Sequence, residues 1–397
     1  MTGGSLTPMP ADRDHDVVLF GATGFTGGLT AEYLARAAPP GLRLALAGRN
    51  TGKLEALREK LFSINPALSE LPLLRADVAD ADSLRRVAES TKVVATTVGP
   101  YVHFGEPLVA ACAEAGTDYA DLCGEPEFVD KMYLAHHARA VETGARLVHA
   151  CGFDSIPHDL GALFTVSQLP QGKPIRIDGY VRAGAAPSGG TFLSALTAFS
   201  RLPSSFRAAR DRAAAEPRPE GRRARAPLGT PHRSPDGFWA VPLPTIDPMI
   251  VERSAAALPV YGPDFTYRHF AAIKRLPVVA AGAAGMGLVF AAAQIPPARR
   301  ALSKLLKPGG GPDEQRRARS WFSVRFHAES GGERVVTEVS GGDPGYGETA
   351  KMLGESALCL ALDDLPATAG QVTTATAMGQ ALIDRLSDAG LRFATLS

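Results

Sequence analysis

The chain has 397 residues, of which 45% are hydrophobic, and its 42 basic and 41 acidic residues leave a formal net charge of +1. This length and hydrophobic content predict a globular protein with two domains, each burying its own core. The balanced charge argues against nucleic acid as a partner of the whole molecule, so electrostatic recognition must be local.

Residues 1–15 contain Pro, Gly and Asp but no apolar core segment, which is typical of a flexible tail rather than of a signal peptide. The cysteines show neither a C-x-x-C motif nor metal-ligand spacing, which favours a reducing cytoplasm over a disulfide framework. We therefore expect a cytoplasmic protein without a metal site. The four cysteines are Cys112, Cys123, Cys151 and Cys359.

A glycine turn follows the first predicted strand, residues 16–20, and reads G-x-x-G-x-x-G. In this pattern Gly21 permits a tight turn, Gly24 lets backbone amides approach phosphates, and Gly27 lets the next helix pack close to the strand. The order of strand, turn and helix predicts a site for a dinucleotide pyrophosphate. The residues expected to contact the cofactor here are Gly21, Thr23, Gly24, Phe25, Thr26 and Gly27.

The second predicted strand, residues 42–47, ends in a basic group instead of the acid that would bind the ribose 2′-hydroxyl of NAD. Arg49 and Asn50 follow it, and Lys53 comes one helical turn later. A charge-assisted bond from a guanidinium to a 2′-phosphate contributes about 1.5–3 kcal/mol. The sequence therefore predicts NADPH rather than NADH; the alternative is that Arg49 is only a solvated residue after a strand.

Short β-rich runs alternate with helical patterns through residues 16–154, which predicts a Rossmann-type, doubly wound parallel α/β sheet with strand order 3-2-1-4-5-6. Ligands of such sheets lie at the carboxyl ends of the strands. There we expect Asp77 to meet the adenine, and Gly99 and Pro100 to border the nicotinamide. The predicted strands are residues 16–20, 42–47, 71–76, 92–97, 118–122 and 146–150.

The alternation lapses after residue 154, and residues 155–345 are predicted to form a second, α+β domain. In residues 320–328 apolar Phe322, Val324 and Phe326 alternate with polar neighbours, as in a sheet with one covered face, and residues 174–182 and 334–339 are similar. Helical periodicity returns at 349–362 and 374–386. We expect the helices of residues 346–397 to pack back on the nucleotide domain.

Two segments inside the second domain are unusual. Residues 202–237 contain eight arginines and six prolines, which predicts a loop or lid with little regular structure. This basic loop is either a solvated insertion or a landing site for the phosphopantetheine arm or acidic surface of a carrier protein.

Residues 276–295 hold no charge and are long enough to span a bilayer. Ten of the twenty are Ala or Gly, Pro277 lies among them, and basic residues flank both sides, which weakens a transmembrane interpretation. We expect a buried or interfacial element that forms part of an acyl-chain site or touches a membrane surface.

The chain lacks Tyr-x-x-x-Lys, Gly-x-Ser-x-Gly and His-Glu-x-x-His motifs, which leaves redox chemistry as the best supported class. A reductase needs a proton donor near the atom that gains negative charge. Each candidate also has a structural interpretation, as a helix cap, an interior histidine or a packed ring. The candidates are Tyr101 and His103 after the fourth strand, and Asp154, Ser155 and His158 after the sixth.

Several runs resemble the nucleotide domain of the saccharopine dehydrogenase family. They are VGPY at 98–101, GEPLV at 105–109, GTDYADL at 116–122, GE at 124–125 and GFDSIPHDLG at 152–161. In the tail, TAKM at 349–352 and AMGQALI at 377–383 are similar to the trans-acting enoyl reductase branch of actinobacterial polyketide and lipid pathways.

The resemblance implies an NADPH-dependent reductase of the C=C bond of an enoyl thioester, held by a separate synthase or acyl carrier. Two alternatives remain open at this point. One is C–N oxidoreduction of an imine or amino acid, as in saccharopine dehydrogenases. The other is a non-catalytic protein of lipid surfaces that retains a nucleotide-binding domain.

Overall fold

The computed structural model describes residues 13–184, 196, 197, 199–295, 297 and 312–397. The chain divides into two compact units. The first contains the residues up to Cys123, with Glu127–Gly152 and Tyr346–Arg385; the second contains Gly124–Pro126, Phe153–Gly345 and Leu386–Ser397.

The strands of the described residues are numbered in chain order. They are β1 His15–Phe20, β2 Leu44–Gly48, β3 Leu73–Arg75, β4 Thr91–Thr96, β5 Asp118–Asp121, β6 Arg146–Val148, β7 Ile175–Ala183, β8 Arg223–Arg225, β9 His232–Arg233, β10 Trp239–Pro242, β11 Asp264–Ile273, β12 Phe322–Ser330, β13 Glu333–Gly341, β14 Gly370–Val372 and β15 Arg392–Thr395.

The helices are numbered in the same way. They are α1 Phe25–Ala37, α2 Thr51–Ile64, α3 Ala81–Ser90, α4 Tyr101–Phe104, α5 Glu106–Ala115, α6 Pro126–Thr143, α7 Ile156–Val166, α8 Leu202–Ala215, α9 Asp247–Ala257, α10 Leu276–Gln294, α11 Glu314–Ala318, α12 Gly347–Leu362, α13 Thr374–Ala377 and α14 Gly379–Asp388.

The first unit is built on a parallel sheet of order β3-β2-β1-β4-β5-β6-β14. The predicted doubly wound fold and its order 3-2-1-4-5-6 are confirmed. The central strand β1 is apolar and fully buried from Val17 to Leu19, as expected of a strand covered on both faces. The seventh strand, β14, was not predicted, because its three residues carry no recognisable period.

The predicted flexible tail of residues 1–15 is wrong at its end, while residues 1–12 lie outside the described part of the chain. Arg13 is buried, and its guanidinium donates hydrogen bonds to carbonyl oxygens that include those of Ala88, at 3.1 Å, and Ala115, at 2.6 Å. His15 already begins β1. Arg13 therefore links the start of β1 to the C-terminal ends of α3 and α5.

The second unit contains a mixed sheet of order β15-β13-β12-β7-β11-β10-β9, with β8 paired to β11. The predicted covered face is confirmed in β12, where Phe322, Val324 and Phe326 are buried. Helix α7 approaches this strand so closely that a Cβ at Gly161 would lie 2.5 Å from the Phe326 ring. The close contact explains a glycine inside a helix, where it otherwise costs stability.

The chain returns to the first unit at Tyr346, as expected, but its last residues, from Leu386, belong to the second unit. Helix α12 lies in the first unit, where Tyr33 donates a hydrogen bond to Glu355. Strand β15, however, pairs antiparallel with β13 in the second unit. The prediction that all of residues 346–397 join the nucleotide domain is therefore wrong for the last strand.

The predicted loop at residues 202–237 is also wrong in its first part, which forms α8. Ala and Arg are strong helix formers, and Pro203 stands in the first turn, where proline is tolerated. Arg212 is buried and donates to the Glu216 carboxylate at 2.7 Å and 2.9 Å. After this helix the segment is mostly irregular, as proline and arginine predict, but it contains the short strands β8 and β9.

Helix α10 coincides with the apolar segment of residues 276–295. Its mean hydropathy of 1.9 and its 19 residues would suffice to cross a membrane. Only 6% of its most apolar window is buried, so a buried core helix, one of the two predicted forms, is wrong.

Candidate functional site

The glycine turn of the first unit lies between β1 and α1, as the sequence predicts. Gly21 has a φ of +83°, and a Cβ there would lie 2.6 Å from Val98 Cγ2. A Cβ at Gly27 would lie 2.2 Å from the Gly21 carbonyl oxygen and 2.8 Å from Thr97 Oγ1. These two glycines are therefore required by the turn and by the packing of α1, whether or not a ligand is bound.

Gly24 differs from its two neighbours in the motif. A Cβ there would meet nothing closer than the Gly21 carbonyl oxygen at 3.4 Å, which is an ordinary contact, and the residue is exposed. It caps the start of α1 without a side-chain hydrogen bond, and the first turn of this helix holds no acidic residue. A bare, uncharged helix start of this kind suits a pyrophosphate, which the amides and the helix dipole attract.

Thr23 is exposed beside Gly24, while Phe25 and Thr26 are partly buried in the first turn of α1. The Phe25 ring meets Tyr346 edge to face, with ring centroids 4.9 Å apart. Tyr346 was not among the predicted site residues, since it lies far along the chain and in no motif. Tyr346 packs against the phenyl ring of Phe25, which lies within the glycine motif.

Arg49 and Lys53 are exposed after β2, where a 2′-phosphate would lie. The Asn50 side chain accepts a hydrogen bond from the Lys53 amide at 3.0 Å and so caps α2. Asp77 follows β3 and accepts a hydrogen bond from the Ala79 amide at 3.1 Å. Arg49 thus keeps its side chain available for a ligand, whereas Asn50 and one oxygen of Asp77 shape the local backbone.

Tyr101, a predicted proton donor, is buried at the start of α4. Its hydroxyl donates to the Thr96 carbonyl oxygen at 3.2 Å and accepts from the Leu122 amide at 3.1 Å. It therefore links the ends of β4 and β5, which favours a structural role. Gly99 and His103 are exposed and Pro100 is partly exposed on the same connection.

Asp121, at the end of β5, is a buried polar centre that sequence reasoning did not select. One carboxylate oxygen accepts from the Tyr119 hydroxyl at 2.9 Å and lies 2.7 Å from His149 Nδ1. The other accepts from the amides of Cys123 and Ala150, both at 2.9 Å. Asp121 lies in the GTDYADL run, but nothing in that run shows that it ties two strand ends together.

The other three predicted donors lie in the second unit. Asp154 and Ser155 precede α7, and His158 lies in its first turn. His158 Nδ1 lies 2.8 Å from Asp247 Oδ1, and Asp247 Oδ2 lies 3.7 Å from His269 Nε2. The sequence therefore identified one end of a buried His158–Asp247–His269 cluster.

Asp247 and His269 were missed because no local spacing joins them to His158. Asp247 begins α9, and His269 lies in β11. The Tyr267 hydroxyl is 3.0 Å from His269 Nδ1 and fixes the far side of that ring. The signal for His269 was a histidine in a strand of alternating polar and apolar residues, and by itself it does not indicate a site.

Burial and charge divide the roles within this cluster. Burial lowers the pKa of His269 to about 3, so this ring is neutral. Burial disfavours the charge of Asp247, but the His158 and His269 imidazoles outweigh it and lower the pKa of this carboxyl. Burial, reinforced by the Asp247 charge, raises the pKa of Asp154 to about 6. Asp154 is therefore an acid that can hold a proton close to neutral pH.

Four buried polar atoms of Ser155, His158 and Asp247 lack hydrogen-bond partners among the described residues: Ser155 Oγ, His158 Nδ1, His158 Nε2 and Asp247 Oδ1. Buried polar groups are almost always paired, and an exception calls for an explanation. A bound polar group, such as the carbonyl oxygen of a substrate, would satisfy Ser155 Oγ and His158 Nε2.

The same cluster could hold a metal ion. His158, Asp247 and His269 each offer one ligand atom, and these atoms lie within 4.8 Å of one another. Two imidazoles and a carboxylate suit a first-row divalent metal. The sequence predicted no metal site, because these ligands come from three separate elements.

Comparison with known proteins agrees with this architecture. Residues 17–148 match the family model of the saccharopine dehydrogenase NADP binding domain. A trans-acting enoyl reductase of Mycobacterium ulcerans is 37% identical, the match covering 96% of this chain and 97% of that protein. A trans-acting enoyl reductase of Mycobacterium tuberculosis is 36% identical, with 97% and 99% covered.

Among solved structures, the apo saccharopine dehydrogenase (L-Glu forming) of Saccharomyces cerevisiae has a similar fold. Its TM-score is 0.57 at 14% identity, and the alignment covers 96% of this chain and 99% of that one. The chain therefore belongs to the family of the trans-acting enoyl reductases, with an NADP binding domain of the saccharopine dehydrogenase type, and is an NADP-dependent oxidoreductase.

Proposed function

We propose that this protein uses NADPH to reduce the C=C bond of an α,β-unsaturated acyl thioester, a polyketide or lipid intermediate presented by a separate synthase or carrier. The names of its relatives support the reaction class, and the NADP-binding domain supports the cofactor. The observation that carries the proposal is the partly buried acid of the second unit, Asp154, near His158 and its partner Asp247.

When bound, NADPH supplies a hydride, which adds to the β-carbon of the enoyl group and leaves negative charge on the α-carbon and the thioester oxygen. A proton must then reach the α-carbon. Asp154 holds such a proton, and the unpaired Ser155 Oγ and His158 Nε2 offer hydrogen bonds to the oxygen that carries the charge. The product contains one hydride and one proton more than the substrate.

The proposed preference for NADPH over NADH rests on Arg49. Its exposed guanidinium stands directly after β2, where a 2′-phosphate would accept paired hydrogen bonds. The exposed Gly24 at the start of α1 would receive the pyrophosphate. These residues cover the two phosphate groups of the cofactor, the 2′-phosphate of the adenosine and the pyrophosphate that links the two nucleosides.

A carrier that works in trans needs a surface to bind. The basic stretch that was predicted as a loop presents exposed arginines on and after α8, among them Arg207, Arg210 and Arg218. Exposed cations of this kind suit the acidic surface of a carrier or the phosphate of its phosphopantetheine arm. We place the protein in the cytoplasm, where NADPH and such carriers meet.

The experiment is an assay of NADPH absorbance with a purified protein and an enoyl thioester on a carrier, followed by the mass of the product. We expect NADPH oxidation together with a gain of two hydrogens at the C=C bond. The saturated thioester is the matched control and should give no oxidation. Oxidation with a cyclic imine but not with any enoyl thioester would overturn the proposal in favour of C–N chemistry.

A further inference from the structure

Helix α10 exposes several large apolar side chains in the second unit. The side chain of Leu288 is 73% exposed, that of Val278 54% and that of Leu276 52%. Soluble proteins rarely expose several large apolar side chains on one helix unless a partner covers them. Neither the nucleotide site nor the buried polar cluster uses this helix.

We propose that α10 inserts into the surface of an anionic lipid bilayer and anchors the second unit to the cytoplasmic side of a membrane. This inference goes beyond the proposed reaction and does not depend on it. It rests on how the apolar side chains are distributed, on where the helix is attached, and on the charge at its start.

The apolar surface runs around the whole helix, and this identifies the partner. Residues 276–295 hold no charged side chain. Among the side chains that the structure describes in α10, only Ala293 is buried. A protein groove would cover one face of a helix and leave a polar face to water. A lipid surface covers a wide apolar band of any outline, whereas a protein groove covers one narrow face, so lipid fits this helix better than a single protein partner does.

The length of the helix would also allow a different arrangement, a span across the membrane. Its 19 residues span about 28 Å at about 1.5 Å per residue, close to the roughly 30 Å of a hydrocarbon core. Length alone does not set the orientation of α10 relative to the membrane. The orientation depends on how the two ends of the helix are attached.

Both ends of α10 are attached to the second unit. The N-terminal end continues from β11 through Lys274 and Arg275. Near the other end, Gln294 donates to the Phe199 carbonyl oxygen at 2.8 Å, and the Phe290 and Phe199 rings meet at 5.8 Å. A helix that crossed the bilayer would separate these attachments by the full membrane thickness. We therefore infer that it lies along the membrane surface, embedded from one side.

The charge at the start of the helix selects the lipid. Lys274 and Arg275 are exposed immediately before Leu276. Basic residues at the edge of an inserted segment are attracted to anionic headgroups, at about 1 kcal/mol for each residue. The inferred partner is therefore a bilayer that contains anionic lipid rather than a purely zwitterionic one.

The test is flotation of the purified full-length protein with vesicles of phosphatidylcholine, with and without phosphatidylglycerol. We expect the wild-type protein to float with the anionic vesicles. Leu288→Asp should weaken the partition at least about tenfold, since an acid in the apolar layer costs far more than a leucine gains. Lys274→Gln with Arg275→Gln should weaken anionic binding about 25-fold, as about fivefold for each charge, and should leave the weak neutral binding unchanged.

Leu134→Asp is the matched control, because Leu134 is an exposed leucine on α6 in the first unit. It should bind vesicles like the wild type, and circular dichroism should show that all variants are folded. The inference is overturned if the wild type stays unbound with every vesicle, or if Leu134→Asp loses as much binding as Leu288→Asp. It is also overturned if Leu288→Asp abolishes a dimer in sedimentation velocity but leaves flotation unchanged, since a second copy of the chain would then cover the helix.

Discussion

His158 Nδ1 lies 2.8 Å from Asp247 Oδ1, and both side chains are almost completely buried. The contact joins the first turn of α7 to the first turn of α9, two helices of the second unit that are distant in sequence. A buried carboxylate at this distance attracts the imidazole and holds the orientation of the ring. Asp247 is thus a positioning residue, which acts through His158 rather than on the substrate.

Asp247→Asn should lower kcat for the enoyl thioester about 10- to 100-fold, a typical cost of removing a partner that orients a reactive group. The KM for NADPH should stay unchanged, because the nucleotide turn belongs to the first unit. Steady-state kinetics with each substrate varied in turn would check this. The pH profile should also shift, since the charge of Asp247 helps to raise the pKa of Asp154.

Asp236→Asn provides the control for that experiment. It removes a carboxylate that lies 3.0 Å from His327 Nε2, also in the second unit but outside the cluster. Its kcat should equal that of the wild type. Equal losses of kcat in the two variants would mean that Asp247 matters only for the fold.

The rate should fall with pH on the alkaline side of about 6, because burial raises the pKa of Asp154 from 3.8 to about this value. If Asp154 donates the proton, kcat/KM should fall about tenfold for each pH unit above this pKa. Asp154→Asn should lower kcat/KM and remove its decline at alkaline pH. If the variant keeps this decline, a group other than Asp154 donates the proton.

The same shift has a consequence for stability. The folded state binds the Asp154 proton more tightly than the unfolded chain does, so this group favours folding below pH 3.8. That contribution is lost as the pH rises from 3.8 to about 6. Between pH 3.8 and about 6, the free energy of unfolding measured in urea should decline less in Asp154→Asn than in the wild type.

The sequence was sufficient for the first unit but not for the buried cluster. The parallel sheet could be predicted because each strand, such as β1, is a local apolar run with its own turn signal. The cluster could not be predicted, because Asp247 and His269 come from elements with no shared motif, and only tertiary packing joins them. Helix α8 was missed for the opposite reason: its prolines and arginines were counted over 202–237 as a whole, although Leu202–Ala215 alone favours a helix.

Tyr101→Phe should destabilise the protein without changing its chemistry. The variant loses the hydroxyl that bonds the Thr96 carbonyl and the Leu122 amide. Unpaired buried groups of this kind cost about 1–3 kcal/mol, so Tm should fall by several degrees. Activity per folded molecule should be retained, measured below the new Tm. A large loss of kcat at unchanged Tm would restore Tyr101 as a proton donor.

Arg49→Ala should reduce the preference for NADPH over NADH about 10- to 100-fold, since one charge-assisted contact to the 2′-phosphate is lost. Titration of both cofactors by fluorescence would measure the two Kd values, and only that for NADPH should rise. Arg36→Ala, at an exposed arginine in the last turn of α1, is the control and should change neither value. An unchanged ratio in Arg49→Ala would place the 2′-phosphate elsewhere.

The glycines of the turn should separate into two classes when each is replaced by alanine. Gly27→Ala puts a Cβ 2.2 Å from the Gly21 carbonyl oxygen, a backbone atom that cannot rotate away, so the variant should lose much of its stability. Gly24→Ala meets only an ordinary contact at 3.4 Å and should keep the wild-type Tm. It should nevertheless bind NADPH at least about tenfold more weakly, because the new methyl group occupies the side from which the phosphates approach. Thermal unfolding without cofactor, followed by NADPH titration, distinguishes the two effects; a Gly24→Ala variant with wild-type affinity would show that the pyrophosphate does not lie on this turn.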